Sequence, residues 1–372
     1  MEPAVFAELV RLHHPVISPA RDLAFRVLKK VHNGGYASDL LRNLLGNDGA
    51  PLDTRDAGLA EAIVMGVLRY QGQLDFLIGY FANQAKPRLD LEVRIALQMG
   101  IYQLRYLDRI PAHAAVAESV ELVKASNKQS AAGLVNAVLR KVHRNPVKWP
   151  DRATELSLPP WMLARWDKQF GKEMAETIAR AALVEPEKTV NEETGRQQDV
   201  GAQTIVPLLE IEPGMTVLDL CAAPGNKTAQ AISAGAHVIA CDRYLKRAQE
   251  IPSNAMRIVL DATAPLPFSK KFDRILIDAP CSGTGTLGRN PEIKWRLKPG
   301  DANVFSARQR AILDQARRFM KPGGRIVYAT CSLEKEENQN VIQSLRLRAE
   351  THLRLPGRDA GDGFFAAVIT LV

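Results

Sequence analysis

Thr216-Val217-Leu218-Asp219-Leu220-Cys221-Ala222-Ala223-Pro224-Gly225-Asn226-Lys227-Thr228 is the stretch that decides the fold. A short apolar run closes on an acid, a turn of small residues follows, and a helix-compatible segment begins after it. That is the strand–turn–helix opening of an α/β domain. Gly225 and the small residues around it let the backbone turn tightly and come close to a ligand. The turn has neither the GxGxxG spacing nor a Walker A pattern, so it suits a ligand without a pyrophosphate. Toward the C-terminus, β-rich runs at His237–Cys241, Met256–Leu260, Phe272–Ile277, Arg325–Ala329 and Phe364–Leu371 predict further strands. Helices are expected among them, including Ala307–Met320 and Lys335–Leu347. The alternation predicts a doubly wound, Rossmann-like domain over residues 201–372, with ligands at the carboxyl ends of its strands.

Toward the N-terminus the rhythm is helical. Leu23, Ala24, Val27, Leu28 and Val31 fall on one face, as do Leu59, Ala60, Ile63, Val64, Val67 and Leu68. Asp53 and Asp90 stand where N-caps belong. Residues 1–148 are therefore expected to form an all-helical domain. Its basic exit, Arg140, Lys141, Arg144 and Lys148, can hold phosphates or simply solvate a helix end beside the negative pole of the dipole. Residues 149–200 form the connector: a helical piece at Trp161–Leu183, then a polar linker, Val184–Val200.

Composition narrows the partners. The 372-residue chain is 46% hydrophobic and 24% charged, ordinary values for a soluble protein, with a formal net charge of +8 that favours a polyanion. All four cysteines, Cys221, Cys241, Cys281 and Cys331, lie in the second half, without the spacing of a disulfide framework or a zinc site, and no metal is expected. With no basic and apolar leader and no run long enough to span a bilayer, the expectation is a cytoplasmic chain with no membrane partner, a monomer for preference.

Four acids stand at successive strand ends: Asp219, Asp242, Asp261 and Asp278. Any one of them alone is explained as a turn cap. Together they suit S-adenosyl-L-methionine, with its methionine part at the turn Cys221-Ala222-Ala223-Pro224-Gly225-Asn226-Lys227. Its ribose would sit at Asp242, whose carboxylate can accept from both hydroxyls, and its adenine near Asp261. Asp278 falls where cofactor and substrate should meet. Asn226 has a plainer reading as a turn residue that tolerates positive φ. Lys227 is open between a role toward a polarised substrate and a solvated helix start.

The chemistry turns on two thiols. Cys281 follows the fourth predicted strand in Asp278-Ala279-Pro280-Cys281-Ser282-Gly283-Thr284-Gly285, and Cys331 follows the fifth in Thr330-Cys331-Ser332. Adjacent strands would aim both into one crevice. Cytosine C5 is a poor nucleophile until a thiolate adds at C6 and leaves an enamine, which can then take a sulfonium methyl group. Attack is assigned to Cys331, product release to Cys281, and contact with the base edge to Asp278. Cys241 reads as a small core hydrophobe, and Cys221 as packed beside the cofactor. The segment from Leu287 to Arg296 is expected to cover the substrate; Arg289 and Arg296 suit phosphate and Trp295 a stacked base, and ordinary surface and core roles suit each of them equally well. The target nucleotide would leave its stack to reach the thiols.

The stretches Val217–Thr228, Phe272–Gly285, Tyr328–Ser332 and Asp362–Ala366 resemble the Sun/RsmB family of bacterial 16S rRNA cytosine-C5 methyltransferases. Arg21–Arg144, with Asn136-Ala137-Val138-Leu139-Arg140, resembles that family's NusB-like RNA-binding domain. The resemblance implies Cys331 as nucleophile, Cys281 in release of methylated RNA, and cofactor contacts at Cys221–Lys227, Asp242, Asp261 and Asp278. Three features depart from it. Asn226 stands where the family has glycine, the segment after Asp242 is short for a helix, and the RNA-recognition-like subdomain expected after Leu183 is missing. Methylation of a tRNA or of another rRNA cytosine stays open, as does a noncatalytic RNA-binding scaffold. A protein methyltransferase would have no use for paired thiols.

Overall fold

The computed structural model describes residues 17–46, 52–84 and 88–370. The expected absence of a leader and the strand-end position of Leu371 fall outside them. The chain divides into two compact units, one running to Gln169 and including Asn290–Arg296, the other comprising Phe170–Arg289 and Leu297–Val372. No helix among the described residues is long and apolar enough to cross a membrane.

The first unit contains α1 (Pro19–His32), α2 (Ala37–Gly46), α3 (Thr54–Arg69), α4 (Gln71–Ala82), α5 (Leu91–Tyr106), α6 (Ala112–Ala125) and α7 (Ala132–Arg140), and no strand among its described residues. The predicted apolar faces form its core: Leu23, Val27 and Leu28 of α1 pack with Ile63, Val64 and Val67 of α3 and with Ile95 and Met99 of α5. Asp53 caps α3 by accepting the Asp56 backbone N–H at 2.7 Å. Asp90 occupies the N-cap position of α5, but its carboxylate makes no capping bond and pairs with Lys128 at 2.7 Å instead. The basic exit is partly engaged by its own chain, since Arg144 bonds Asp108 at 2.6 Å and donates to the carbonyls of Leu104 and Leu107. Helices α8 (Arg152–Glu155) and α9 (Pro160–Phe170) follow, and Trp166 of α9 is fully buried. The single helical piece expected over Trp161–Leu183 is broken at Gly171, where α10 (Lys172–Ala181) starts anew.

The second unit continues through α11 (Val200–Gln203), β1 (Thr216–Asp219), α12 (Asn226–Ser233), β2 (His237–Asp242), α13 (Leu245–Ala248), β3 (Met256–Val259) and β4 (Phe272–Asp278). After α14 (Ile293–Arg296), which belongs to the first unit, come α15 (Asp301–Ala316), β5 (Met320–Thr330), α16 (Gln339–Ser344), β6 (Glu350–Arg354) and β7 (Phe364–Thr370). The seven strands form one sheet in the order β3-β2-β1-β4-β5-β7-β6, with β7 antiparallel to both of its neighbours and the other pairs parallel.

The central strands read as unbroken apolar runs because both faces are covered. Val217, Leu276, Val327 and Ala366 enter one core, with Ala231 of α12. Their alternates Leu218, Ile275, Ile277, Tyr328 and Phe365 enter the other, with Ile312 and Leu313 of α15. Two expectations need correction, and one strand is added. The helix expected at Ala307–Met320 starts earlier, at Asp301, and ends at Ala316, leaving Met320 to open β5. The helix expected over Lys335–Leu347 shrinks to Gln339–Ser344, because the residues before it are drawn into a buried polar network described below. Strand β6, polar and exposed at Glu350 and Thr351, carried no apolar alternation to announce it. The connection from β2 to β3 holds only the four-residue α13, and β3 lies at the sheet edge with Met256 62% and Val259 48% exposed.

Candidate active site

Register brings the site together. Leu276, Ile277 and Asp278 of β4 pair with Val327, Tyr328 and Ala329 of β5, and the Ala279 N–H extends the ladder to the Ala329 carbonyl at 2.8 Å. Cys281 and Cys331 therefore emerge side by side just beyond the last paired residues. Their sulfurs are 3.3 Å apart, within hydrogen-bonding distance, and both side chains are half-buried. Gly285 holds the two loops close. Its N–H donates to the Cys331 carbonyl and its own carbonyl accepts from Gly363, each at 2.8 Å. A Cβ there would lie 2.3 Å from the Gly363 oxygen, so no larger residue fits.

Asp278 ends β4, and Lys227 reaches it from the first turn of α12, with Nζ to Oδ2 at 2.7 Å. Lys227 also stands 5.4 Å from the centre of the Phe364 ring. The lysine is mostly buried, at 11% exposure, and so belongs to the crevice; the solvated alternative is set aside. Burial disfavours its charge, but Asp278 outweighs that and holds its pKa above the ordinary lysine value.

At the end of β1, Asp219 is buried. Its Oδ2 accepts the Thr228 hydroxyl at 2.7 Å, while its Oδ1 has no partner. Burial, only partly offset by Thr228, pushes its pKa up to about 7. The turn after it is anchored where Ala222 donates to the Cys241 carbonyl at 2.9 Å; Ala222 and Ala223 are buried. Gly225, and not Asn226, takes the left-handed conformation, at φ 97°. Asn226 instead begins α12. Its side-chain carbonyl accepts from Arg196 at 2.7 Å and its amide donates to the Gln197 carbonyl at 3.0 Å, so it ties the turn to the preceding segment. Cys221 is half-buried, and burial followed by the nearby acids raises its pKa well above the ordinary thiol value. Cys241 is fully buried in β2, with its pKa pushed to about 12, as befits an inert core thiol.

Asp242 closes β2 almost fully buried. It accepts the Tyr244 N–H at 3.0 Å and lies 3.7 Å from Arg247, which donates to the Ala223 carbonyl at 2.9 Å. Asp261, beyond β3, accepts the Thr263 N–H at 3.0 Å and its hydroxyl at 2.7 Å, bonds that lower its pKa, and it faces Arg243 at 3.3 Å. The strand-end acids thus all lie at the carboxyl edge of β1–β4. Arg243, Arg247 and Arg196 were not anticipated beside them, since single arginines in loops carry no spacing signal.

The expected cover over the substrate is not what the 287–296 stretch provides. Arg289 is held by Asp199 and Asp362, both at 2.9 Å. Within the first unit, the Trp295 indole N–H donates to the Leu68 carbonyl at 2.9 Å, and Arg296 stacks 4.3 Å from the centre of the Tyr36 ring. Lys294 is buried with its ammonium on the Arg69 carbonyl at 2.7 Å. These side chains are committed to protein partners. Also unanticipated was Glu337, beneath the cysteine loops, which bonds both Ser282 and Ser332. A serine directly after each cysteine was the available signal.

A doubly wound sheet with an antiparallel seventh strand, following an all-helical region, defines a class I methyltransferase joined to an N-terminal helical domain. The model of the 16S rRNA methyltransferase RsmB/F family matches residues 206–362, and that of the NusB family matches residues 18–144. The chain is 31% identical to ribosomal RNA small subunit methyltransferase B of Erwinia tasmaniensis over 421 residues, covering 93% of this chain and 97% of the relative. It is 29% identical to the probable ribosomal RNA small subunit methyltransferase B of Bacillus subtilis over 392 residues, 87% of each. The crystal structure of PH0851 shares the fold, with a TM-score of 0.76 at 21% identity over 95% of this chain and 99% of that one. The chain belongs to the RsmB/F methyltransferase family and is an S-adenosylmethionine-dependent RNA methyltransferase. An alignment of 421 positions exceeds the 372 residues available, so the Erwinia relative carries stretches that this chain lacks.

Proposed function

We propose that the chain methylates C5 of a cytosine in 16S rRNA through a covalent adduct between Cys331 and C6 of the base. The observation that carries this reading is the pair of sulfurs 3.3 Å apart at the ends of two adjacent strands. Methyl transfer to a nitrogen or to a ribose oxygen has no need of two thiols in contact, whereas C5 transfer needs one sulfur to add and a second group to manage the proton.

The residues present fit S-adenosyl-L-methionine. Asp219 keeps an unpartnered, buried Oδ1 beside the turn Cys221–Lys227, and Asp242 and Asp261 offer carboxylates at the next two strand ends. The cofactor, when bound, supplies an electrophilic methyl group. The Cys331 thiolate adds to C6, and the former C5–C6 π pair makes C5 the nucleophile. Asp278, held by Lys227, meets the base edge and orients the ring for attack. In release the C5 proton leaves, the double bond re-forms, and the C6–Sγ pair returns to Cys331.

The thiols divide this work by their coupling. The hydrogen bond to Cys331, then burial, then the charge of Cys331 hold the Cys281 pKa well above the ordinary thiol value. Cys281 therefore rests as a thiol beside the nucleophile. Once the Cys331 sulfur is bonded to carbon, its contribution to that rise disappears, so Cys281 can release its own proton to solvent and then, as the thiolate, take the C5 proton. The NusB-like unit, with its basic exit, is assigned to RNA binding.

The test is transfer of labelled methyl groups to ribosomal and total RNA that lack the modification, with 5-methylcytosine mapped at base resolution. Cys331→Ala should abolish transfer while still binding S-adenosylmethionine. Full transfer by that variant would remove the assigned nucleophile, and label in tRNA alone would move the target while keeping the chemistry.

A further inference from the structure

We infer that Glu337 is a positioning residue that, beside the bonds made by Gly285 and Thr284, clasps the Cys281 loop to the Cys331 loop and so sets the separation of the two sulfurs. The inference rests on the proposed roles of the two thiols and adds the device that holds them together.

Ser282 follows Cys281 and Ser332 follows Cys331, and both serines are bound to the one carboxylate. Glu337 Oε2 accepts the Ser282 backbone N–H at 2.8 Å and the Gln309 side-chain amide at 3.0 Å. Its Oε1 accepts the Ser332 hydroxyl at 2.7 Å and also the Ser282 hydroxyl. The two hydroxyl oxygens are themselves 3.0 Å apart. The Glu337 main chain is pinned as well, for the Tyr328 hydroxyl of β5 donates to its carbonyl at 2.5 Å. Gln309 joins α15 to the same loop by donating to the Pro280 carbonyl at 3.0 Å. Glu337, Gln309, Tyr328 and Ser332 are all fully buried.

Simple packing is a poor account of this arrangement. A carboxylate with no exposure costs free energy to bury, and apolar residues of the same volume fill such a space at lower cost. Burial does raise the Glu337 pKa, against the pull of its bonds to Ser282, Ser332 and Gln309. What a carboxylate does that an apolar side chain cannot is accept from two loops at once. Each loop lies beyond the last paired residues of β4 and β5, where the ladder no longer holds them in register. A displacement of about 1 Å between reacting groups can cost about 100-fold in rate, so a fixed separation here is a kinetic requirement.

The experiment uses the full chain and two readouts. A trivalent arsenical, phenylarsine oxide, is captured by two thiols in contact and reports the sulfur separation without RNA; Cys331→Ser gives the background from the remaining thiols. Methyl transfer and S-adenosylmethionine affinity are measured in parallel. Glu337→Ala should slow capture about tenfold and lower kcat about 100-fold with cofactor affinity unchanged. Glu337→Gln should restore both to within about tenfold of the parent, because its amide oxygen can take the Ser282 N–H and Gln309 bonds while its NH2 donates to the two serine hydroxyls. Wild-type capture and kcat in Glu337→Ala would overturn the inference, as would a Gln variant no better than Ala. Should Glu337→Ala not fold, Ser332→Ala carries the test, with kcat expected to fall about tenfold and capture to slow; parental values there count equally against the clasp. Slowed capture in a protein whose parent never methylates cytosine would sink the proposed reaction and leave the clasp standing.

Discussion

Replacing Gly225 with alanine should weaken binding of S-adenosylmethionine by roughly 100-fold, and the size of the effect follows from two separate costs. The residue sits at φ 97°, where a side chain is strained by about 1–3 kcal/mol. A Cβ there would also lie 2.4 Å from Cδ of Pro252 and 3.0 Å from Cα of Ile251. Ordinary carbon contacts begin near 3.5 Å, so the 251–252 loop or the turn itself must retreat by about 1 Å. Proline is no flexible side-chain end that can swing aside, and Ile251 contributes backbone. Strain and displacement together come to about 3 kcal/mol, which is a little over two decades in an equilibrium constant. Where the turn relaxes to escape the clash, the cost appears as lost presentation of Cys221–Lys227 to the cofactor; where it does not, it appears as lost stability. Gly323 provides the control. It too has a positive φ, 68°, but an added Cβ would meet no heavy atom within 4 Å, so Gly323→Ala carries the strain without the clash. Calorimetric Kd for S-adenosylmethionine and thermal midpoint should be measured for both variants. If Gly225→Ala matches Gly323→Ala in both quantities, the reasoning about close approach at the turn is wrong.

Cys281→Ala should accumulate a protein–RNA adduct that survives denaturing electrophoresis, because the Cys331–C6 bond forms but its release loses the group assigned to the C5 proton; rapid and complete release of methylated RNA by this variant would reject the assignment. For Asp219 the sign of the pH effect is set by a folded pKa of about 7 against an ordinary 3.8. The folded state holds the extra proton between those values, so stability is fully present below about pH 4 and is lost as the pH rises toward 7, by an amount on the order of 4 kcal/mol at most. Asp219→Asn should flatten that part of the denaturation profile of the cofactor-free protein; an unchanged slope between pH 4 and 7 would show that the carboxyl does not titrate there.

What the sequence disclosed and what it hid divide along physical lines. Apolar runs of four to six residues that are covered on both faces announce themselves, so β1, β2, β4 and β5 were legible. The α1 and α3 faces were equally plain, because residues such as Val27 and Ile63 recur at the helical period and all point into one core. Strand β6 was not, since Glu350 and Thr351 are exposed on a short, polar edge strand. The acids at the strand ends and the two thiols could be named from position alone, because the end of a predicted strand locates a residue to within a turn. Their partners could not. Lys227 meets Asp278 across 51 positions, and Arg289 joins Asp199 and Asp362 across 90 and 73, pairings that only the folded sheet creates. Glu337 was hidden differently, inside a segment whose composition suits a helix; its bonds to Ser282 and Ser332 hold the backbone in turns where propensity alone would have wound it. Trp295 and Arg296 stood open between two readings for a different reason. Their chemistry suits nucleotides, but an indole N–H and a guanidinium serve a protein carbonyl and a tyrosine ring equally well.

The crevice is therefore supported unequally along its length. At the centre of the sheet, where β4 and β5 end, three buried groups fasten the thiol loops. They are Gly285, the Thr284 hydroxyl oxygen, which accepts the Leu333 N–H at 2.9 Å, and the carboxylate of Glu337, and each is bonded from one loop to the other. Toward the β3 edge the support thins. The four-residue α13 leaves Met256 and Val259 uncovered, and Asp261 is held by its own Thr263 and by a half-exposed Arg243. The chain is shorter than its Erwinia alignment requires, yet the elements that bring Cys281 within 3.3 Å of Cys331 are complete. A loose fit at the β3 edge lowers affinity gradually, as binding surface is given up, whereas a loose fit at the thiols slows the reaction steeply, because rate falls sharply with displacement of the reacting atoms.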